Sequence, residues 1–191
     1  LRHNIKFGAN YIYHIFTPGN ASGRAGEVTF EPEKILKQYS NEGALYISDD
    51  FEASDVLKIH AGLRYSSFQH SGYISFRDYI KNDLTGSDDN YNHIEPRLTF
   101  RYKLNPTSSI KGAYTQNYQY IHLASTSSVS LPTDLWVPSS AGIKPKFSDQ
   151  YALGYFKNFK DNMFEASIEA YYKEMSNLIE YKEGVLPEDN T

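Results

Sequence analysis

Apolar and polar residues alternate with a period of two along most of this chain. Ile94, Pro96, Leu98, Phe100, Tyr102 and Leu104 fall at one parity, and Glu95, Arg97, Thr99, Arg101 and Lys103 at the other. Successive side chains of a strand point to opposite faces, so this segment has a greasy side and a charged side. The charged side requires water. The greasy side suits lipid or a dry core. The same alternation places Ile5, Phe7, Ala9, Tyr11, Tyr13 and Ile15 on one face, then Leu57, Ile59, Ala61, Leu63 and Tyr65, then Phe164, Ala166, Ile168, Ala170 and Tyr172. Weaker copies cover residues 42–51, 109–120 and 149–159. The prediction is all-β, with about seven strands.

The connections sharpen this. Short links lie around Glu52 to Asp55, at Asn105-Pro106-Thr107-Ser108 and at Lys160-Asp161-Asn162, all rich in turn formers. Long links cover residues 17–41, 71–90 and 121–148. Short and long alternate strictly. In an up-and-down antiparallel array this puts every short turn at one rim and every long loop at the other, the construction of outer-membrane barrels. A soluble sandwich has no physical reason to keep that asymmetry. The predicted fold is therefore a partial transmembrane β-barrel of antiparallel up-and-down strands. Within the long links, Pro32 to Tyr39 reads as a short helix, Gly23-Arg24-Ala25-Gly26 as a flexible turn, and residues 81–92 and 124–130 as polar loop. Asn20-Ala21-Ser22 fits a glycosylation sequon and carries little weight here.

Composition changes the picture in a few places. No apolar run reaches ~18 residues, so no transmembrane helix is predicted, but alternating barrel strands hide their hydrophobicity from that test. Seventeen Tyr and 11 Phe raise the aromatic share to 15%, which supplies the interfacial girdles that a barrel needs. The absence of Cys excludes disulfides, thiolate zinc sites and cysteine nucleophiles. A net charge of −4, with no basic field, argues against nucleic acid as a partner. The chain starts at Leu1 and stops at Thr191 in an acidic stretch. Residues 1–191 read as one partial-barrel domain from a longer protein, with no segment recognisable as a plug.

Candidate chemistry is sparse. Tyr118, Tyr120, His122 and Trp136 gather at or beyond a strand top, where aromatic faces offer contact area to a ligand at low entropy cost. They are the candidate ligand-binding residues; the plainer role is girdle and loop packing. Glu95, Arg97, Arg101 and Lys103 line a wet face that could guide a ligand through a lumen; the plainer role, which is favoured, is a solvated interior with salt bridges to neighbouring strands. Six histidines show no metal-ligand spacing. His93-x-Glu95 lacks the cysteines of a zinc deaminase. Asp83, Asp88 and Asp89 do not have EF-hand spacing, and Glu165 with Glu169 lacks a cleft for glycosidase chemistry. No G-x-S-x-G, Walker A or G-x-G-x-x-G is present. No catalytic residue, metal or cofactor is predicted.

Several stretches carry a resemblance. They are Ile94-Glu95-Pro96-Arg97-Leu98, the hairpin from Tyr102 to Tyr114 with its Asn105-Pro106 turn, the run from Lys144 to Tyr155, and the run from Glu169 to Ile179. They resemble the barrel region of TonB-dependent receptors, particularly those of Bacteroidetes type. Pro145, Ser148, Tyr151 and Gly154 match the family's segment that opens a later strand; Lys146, Asp149 and Ala152 depart from it. The resemblance implies a wall section of a barrel of about 22 strands closed around a plug. It implies bacterial outer-membrane localisation and import of a scarce ligand such as a metal chelate, vitamin or glycan, driven through TonB. It also implies four partners: lipid, the plug, the remaining strands and TonB. Seven strands cannot close such a barrel. The alternative from pattern alone is a soluble all-β ligand- or carbohydrate-binding module.

Overall fold

A computed structural model describes residues 2–17, 23–25, 28–30, 37–71, 88–124 and 135–179. In chain order these form β1 (His3–Phe16), β2 (Gly23–Ala25), β3 (Val28–Phe30), β4 (Gln38–Glu52), β5 (Leu57–Ser71), β6 (Asp88–Asn105), β7 (Ser108–Gln119), β8 (Ile121–Ala124), β9 (Leu135–Pro138), β10 (Lys146–Phe159) and β11 (Phe164–Ser176). Seven strands build one antiparallel meander in the order β1-β4-β5-β6-β7-β10-β11. β2–β3 and β8–β9 are separate small hairpins inserted in two of the long links. The sheet is open: β1 and β11 are its two edges.

The seven predicted strands are all present, and most are longer than the alternation suggested. β6 begins at Asp88, six residues before the apolar run at Ile94. Asp88 to His93 are polar on both faces, so they pair as backbone without a hydropathy signal. The Gly23-Arg24-Ala25-Gly26 turn is corrected: Gly23–Ala25 is a strand paired with Val28–Phe30. The helix predicted over Pro32 to Tyr39 lies mostly outside the described residues, and Gln38 and Tyr39 already belong to β4. Asp83, the sequon and residues 125–130 lie outside them too.

The three short turns are chemically explicit. Ser54 Oγ accepts from the backbone N–H of Val56 and Leu57. Asn105 Oδ1 accepts from Thr107 N–H and Oγ1–H at 3.0 Å, with Pro106 between them. Lys160, Asp161 and Asn162 are all left-handed (φ 47°, 53° and 68°), and Met163 N–H closes the turn on Lys160 O. Such conformations disfavour β-branched residues and suit Asn and Asp. Adjacent turns are tied together: Lys103 N–H donates to Val56 O, and Asn158 N–H to Thr107 O. All three turns therefore lie along one rim. Two glycines are also required by packing. The Tyr46 ring lies over Gly8 and the Phe100 ring over Gly112, each directly across a strand pair, where any Cβ would collide.

The sheet has no conventional core. Ala44, Phe68 and Tyr120 are the only buried hydrophobic residues among those described.

Candidate functional site

The two faces of the sheet differ as the alternation requires. On one, large apolar side chains are bare, with Phe7 81% and Tyr11 70% exposed, and Ile5, Leu45, Ile47, Leu63, Ile94, Leu98 and Leu153 exposed beside them. A contiguous apolar surface of this kind needs a lipid or protein cover. Three tyrosines on it repeat one contact. Tyr11, Tyr65 and Tyr114 donate to Asn41, Asn92 and Asp149 at 2.7–2.9 Å. In each case the acceptor stands two residues beyond the tyrosine's own cross-strand partner, toward the long-loop rim. Aromatic rings with hydroxyls turned to polar groups are what a membrane interface selects. The three also define a slope. Tyr114 traces through Leu98, Ala61 and Asp49 to Ile5, six residues below Tyr11 after four strand-to-strand steps. At ~3.3 Å per residue and ~4.8 Å between strands this is roughly 45°, the tilt of transmembrane barrel strands.

The other face is polar and concave: one cavity of about 640 Å³ touches residues from Asn4 of β1 to Glu169 of β11. Near the long-loop rim it carries a buried knot. The Tyr120 ring stacks on Phe68 at 5.0 Å with an interplanar angle of 2°, and they are 4% and 0% exposed. The Tyr120 hydroxyl shares hydrogen bonds with Ser66 Oγ (2.6 Å) and His93 Nδ1 (3.0 Å). His93 in turn stacks on Tyr118 at 3.6 Å. Above Arg97 and Thr115, β6 and β7 stop pairing; β6 continues on β5 and β7 on β10. The chain after β9 bridges that split: Tyr91 Oη donates to Ser140 O, and Ala141 N–H to Asp89 Oδ2. Burial pushes the Tyr120 phenol up to about 12. His122, fully buried, lies 2.9 Å from Ser139 Oγ by Nε2, while its Nδ1 has no partner. Burial, helped by the Lys146 charge, lowers it to about 4, so it is a neutral imidazole.

Near the short-turn rim the same face is open and charged. Midway along the strands, buried Glu95 faces Arg64 across β5–β6 at 3.8 Å, the cross-strand salt bridge expected of it. The expectation fails for its neighbours. Arg97 donates to the Asn117 amide oxygen, and Arg101 and Lys103 form no ion pair among the described residues. Their opposite positions on β7 are Lys111 and Ser109, which offer no carboxylate.

Residues 1–190 match the family model described as TonB dependent receptor-like, beta-barrel. The chain belongs to the TonB-dependent receptor β-barrel family. Its setting is the bacterial outer membrane, and the apolar face is the lipid face. Among solved structures it is similar to the alcaligin outer membrane receptor FauA from Bordetella pertussis, at 16% identity and a TM-score of 0.49. That match covers 92% of this chain and 30% of FauA. No curated protein sequence matches it significantly.

Within this receptor barrel, the four residues singled out from sequence divide. Tyr118 and Tyr120 meet around His93. His122 is buried in the adjoining β8–β9 hairpin, paired with Val137. Trp136 stands apart, opposite Leu123 and 56% exposed. Sequence reasoning missed Ser66 and Phe68, which hold Tyr120, and gave His93 only a metal reading. Phe68 lies 52 positions before Tyr120, and only the strand order brings them together. A large aromatic on the wet parity of β5 is the one local sign that something must cover it.

Proposed function

We propose that this wall section belongs to an active-transport receptor that takes up a scarce ligand with energy supplied through TonB. A plug domain and further strands complete the pore. The observation that carries the reading is the division of the wall. A bare apolar face with hydrogen-bonded girdle tyrosines lies outside, and a polar concave face lies inside with its long-loop rim folded inward. Three buried hydrophobic residues among those described are too few to hold a soluble module together, which disfavours the carbohydrate-binding alternative.

The ligand-contact proposal falls on the long-loop rim. Trp136 is the residue available for stacking. Tyr118, Tyr120 and His122 act beneath it by fixing the β8–β9 hairpin. Transport, not catalysis, is the role proposed. The test is uptake by cells carrying or lacking the full-length receptor, using labelled ferric chelates, cobalamin and oligosaccharides, with and without a protonophore. Energy-dependent uptake of one class is expected, and Trp136→Ala should weaken it. No receptor-dependent uptake of any class, or uptake indifferent to the protonophore, would overturn the proposal.

A further inference from the structure

A lysine on the lipid face is costly, and this wall carries one. Among the described residues of the seven strands, Lys157 is the only lysine or arginine at the outward parity. It falls in line with Leu153 and Tyr155 of β10, and every other stands at the lumen parity. A charge on the lipid face of a barrel is destabilising in a depth-dependent way, least near the interfaces. Lys157 lies two residues before the end of β10, about 7 Å along the strand from the short-turn rim. Its opposite positions are Ser108 on β7 and Ala166 on β11, which offer no carboxylate. Its ammonium reaches toward the rim, 5.1 Å from the centre of the Phe159 ring.

Lys160 repeats the arrangement in the turn. Its ammonium lies 5.6 Å from the centre of the Phe164 ring, and Phe164 is directly opposite Phe159. Lysine is an unfavourable choice here too. Position 160 is left-handed (φ 47°), where Gly, Asn or Asp costs less. Neither ammonium forms an ion pair among the described residues, although Asp161 is next in the chain. Phe159, Met163 and Phe164 are exposed around them. The acid on this face near the same rim is treated differently: Asp49 is held by His3 and by the Asn4 N–H. Two positions that each disfavour lysine thus carry one, over directly opposed rings and without an anion.

We infer that Lys157 and Lys160 hold the phosphate of an anionic phospholipid in the periplasmic leaflet, its acyl chains against the apolar surface that begins at Phe159 and Phe164. The charge of the hairpin selects this end. Toward the long-loop rim its outward face carries Asp149 directly opposite Glu174, and toward the short-turn rim the two lysines. A phosphate is attracted to the second end and repelled by the first. A lipid is favoured over an acidic protein because the rings beneath the cations are continuous with the lipid face. An anionic headgroup is favoured over a zwitterionic one, whose own ammonium would confront the two lysines. The inference rests on the outer-membrane setting and is independent of what the receptor carries.

The test uses the full-length receptor, purified in detergent and titrated with phosphatidylglycerol or phosphatidylethanolamine under native mass spectrometry. Phosphatidylglycerol should be retained the more strongly. Lys157→Gln with Lys160→Gln should weaken that retention by roughly fivefold for each lysine. Arg101→Gln with Lys103→Gln removes as much charge at the same rim, on the lumen face, and should leave retention unchanged. Equal retention of the two lipids by the wild type, or equal losses in the two double variants, overturns the inference. Heat-modifiable migration shows that each variant is folded. Should the Lys157 and Lys160 double variant fail to fold, Lys160→Gln alone changes the turn outside every strand and should give the single fivefold loss; unchanged retention there overturns the inference as well. None of these outcomes touches the transport reading, which the uptake assay tests separately.

Discussion

The concave face has two ends built on opposite principles. Among the described residues at the long-loop rim, polar groups are paired within the wall: Tyr120 with Ser66 and His93, Tyr91 with Ser140, Asp89 with Ala141. At the short-turn rim, Arg101 and Lys111 confront each other in the open. The first end excludes water and is stabilised by burial, whose loss on truncating an aromatic is large. The second is solvated, where charge interactions are worth little. One end is finished by the chain's own residues. The other is left open to water, with like charges face to face.

The contrast can be broken most forcefully at Phe68. Phe68→Ala removes the fully buried half of the aromatic stack and should destabilise the barrel by about 3–5 kcal/mol. Urea unfolding of the full-length receptor in detergent micelles, followed by far-UV circular dichroism, would measure it; a loss below about 1 kcal/mol would mean that the knot is not a core. Acid should act next. His122 titrates near 4 when folded and near 6.5 when unfolded. Below pH 6.5 the unfolded chain takes up a proton that the folded one refuses. The stabilisation is thus complete above pH 6.5 and is lost progressively as pH falls to about 4. His122→Gln should flatten that part of the curve. Tyr120→Phe keeps the ring stack and deletes the hydroxyl. It leaves Ser66 and His93 a partner short and should cost about 1–2 kcal/mol in the same unfolding assay. It should also remove the alkaline loss expected between pH 10 and about 12, as the phenol ionises first in the unfolded chain. The smallest effect should have the opposite sign. Arg101→Gln removes a like-charge confrontation and should stabilise the wall by up to about 0.5 kcal/mol in the same assay, an increment that vanishes at high salt.

The strands were legible because lipid and water impose opposite demands on alternate residues. Where only one demand acts, legibility ends. Asp88 to His93 pair with β5 without any apolar parity, and the sequence marks them as loop. Gly23 to Ala25 are too short and too mixed to announce a strand. The candidate site was half legible. The density of Tyr118, Tyr120 and His122 marked a cluster at the long-loop rim, where tyrosines gather at a membrane interface. Which of them is buried depends on Ser66, Phe68 and His93, contributed by strands remote in sequence. The facing cations were hidden for a related reason. Arg101 and Lys103 were visible as cations, but that Arg101 faces Lys111, not a carboxylate, is a fact of register. Period-two patterning fixes the face of a residue and leaves its opposite number open.

The slanted line through Tyr11, Tyr65 and Tyr114 has a practical corollary for anyone placing reporters in this wall. Hydrogen-bonded neighbours are not at equal depth. Ile5 and Tyr114 share a ladder rung, yet the slope sets them about 14 Å apart along the bilayer normal. Quenchers or spin labels meant to sample one stratum of the bilayer belong on the diagonal, and a set strung along a rung would read out a vertical profile instead.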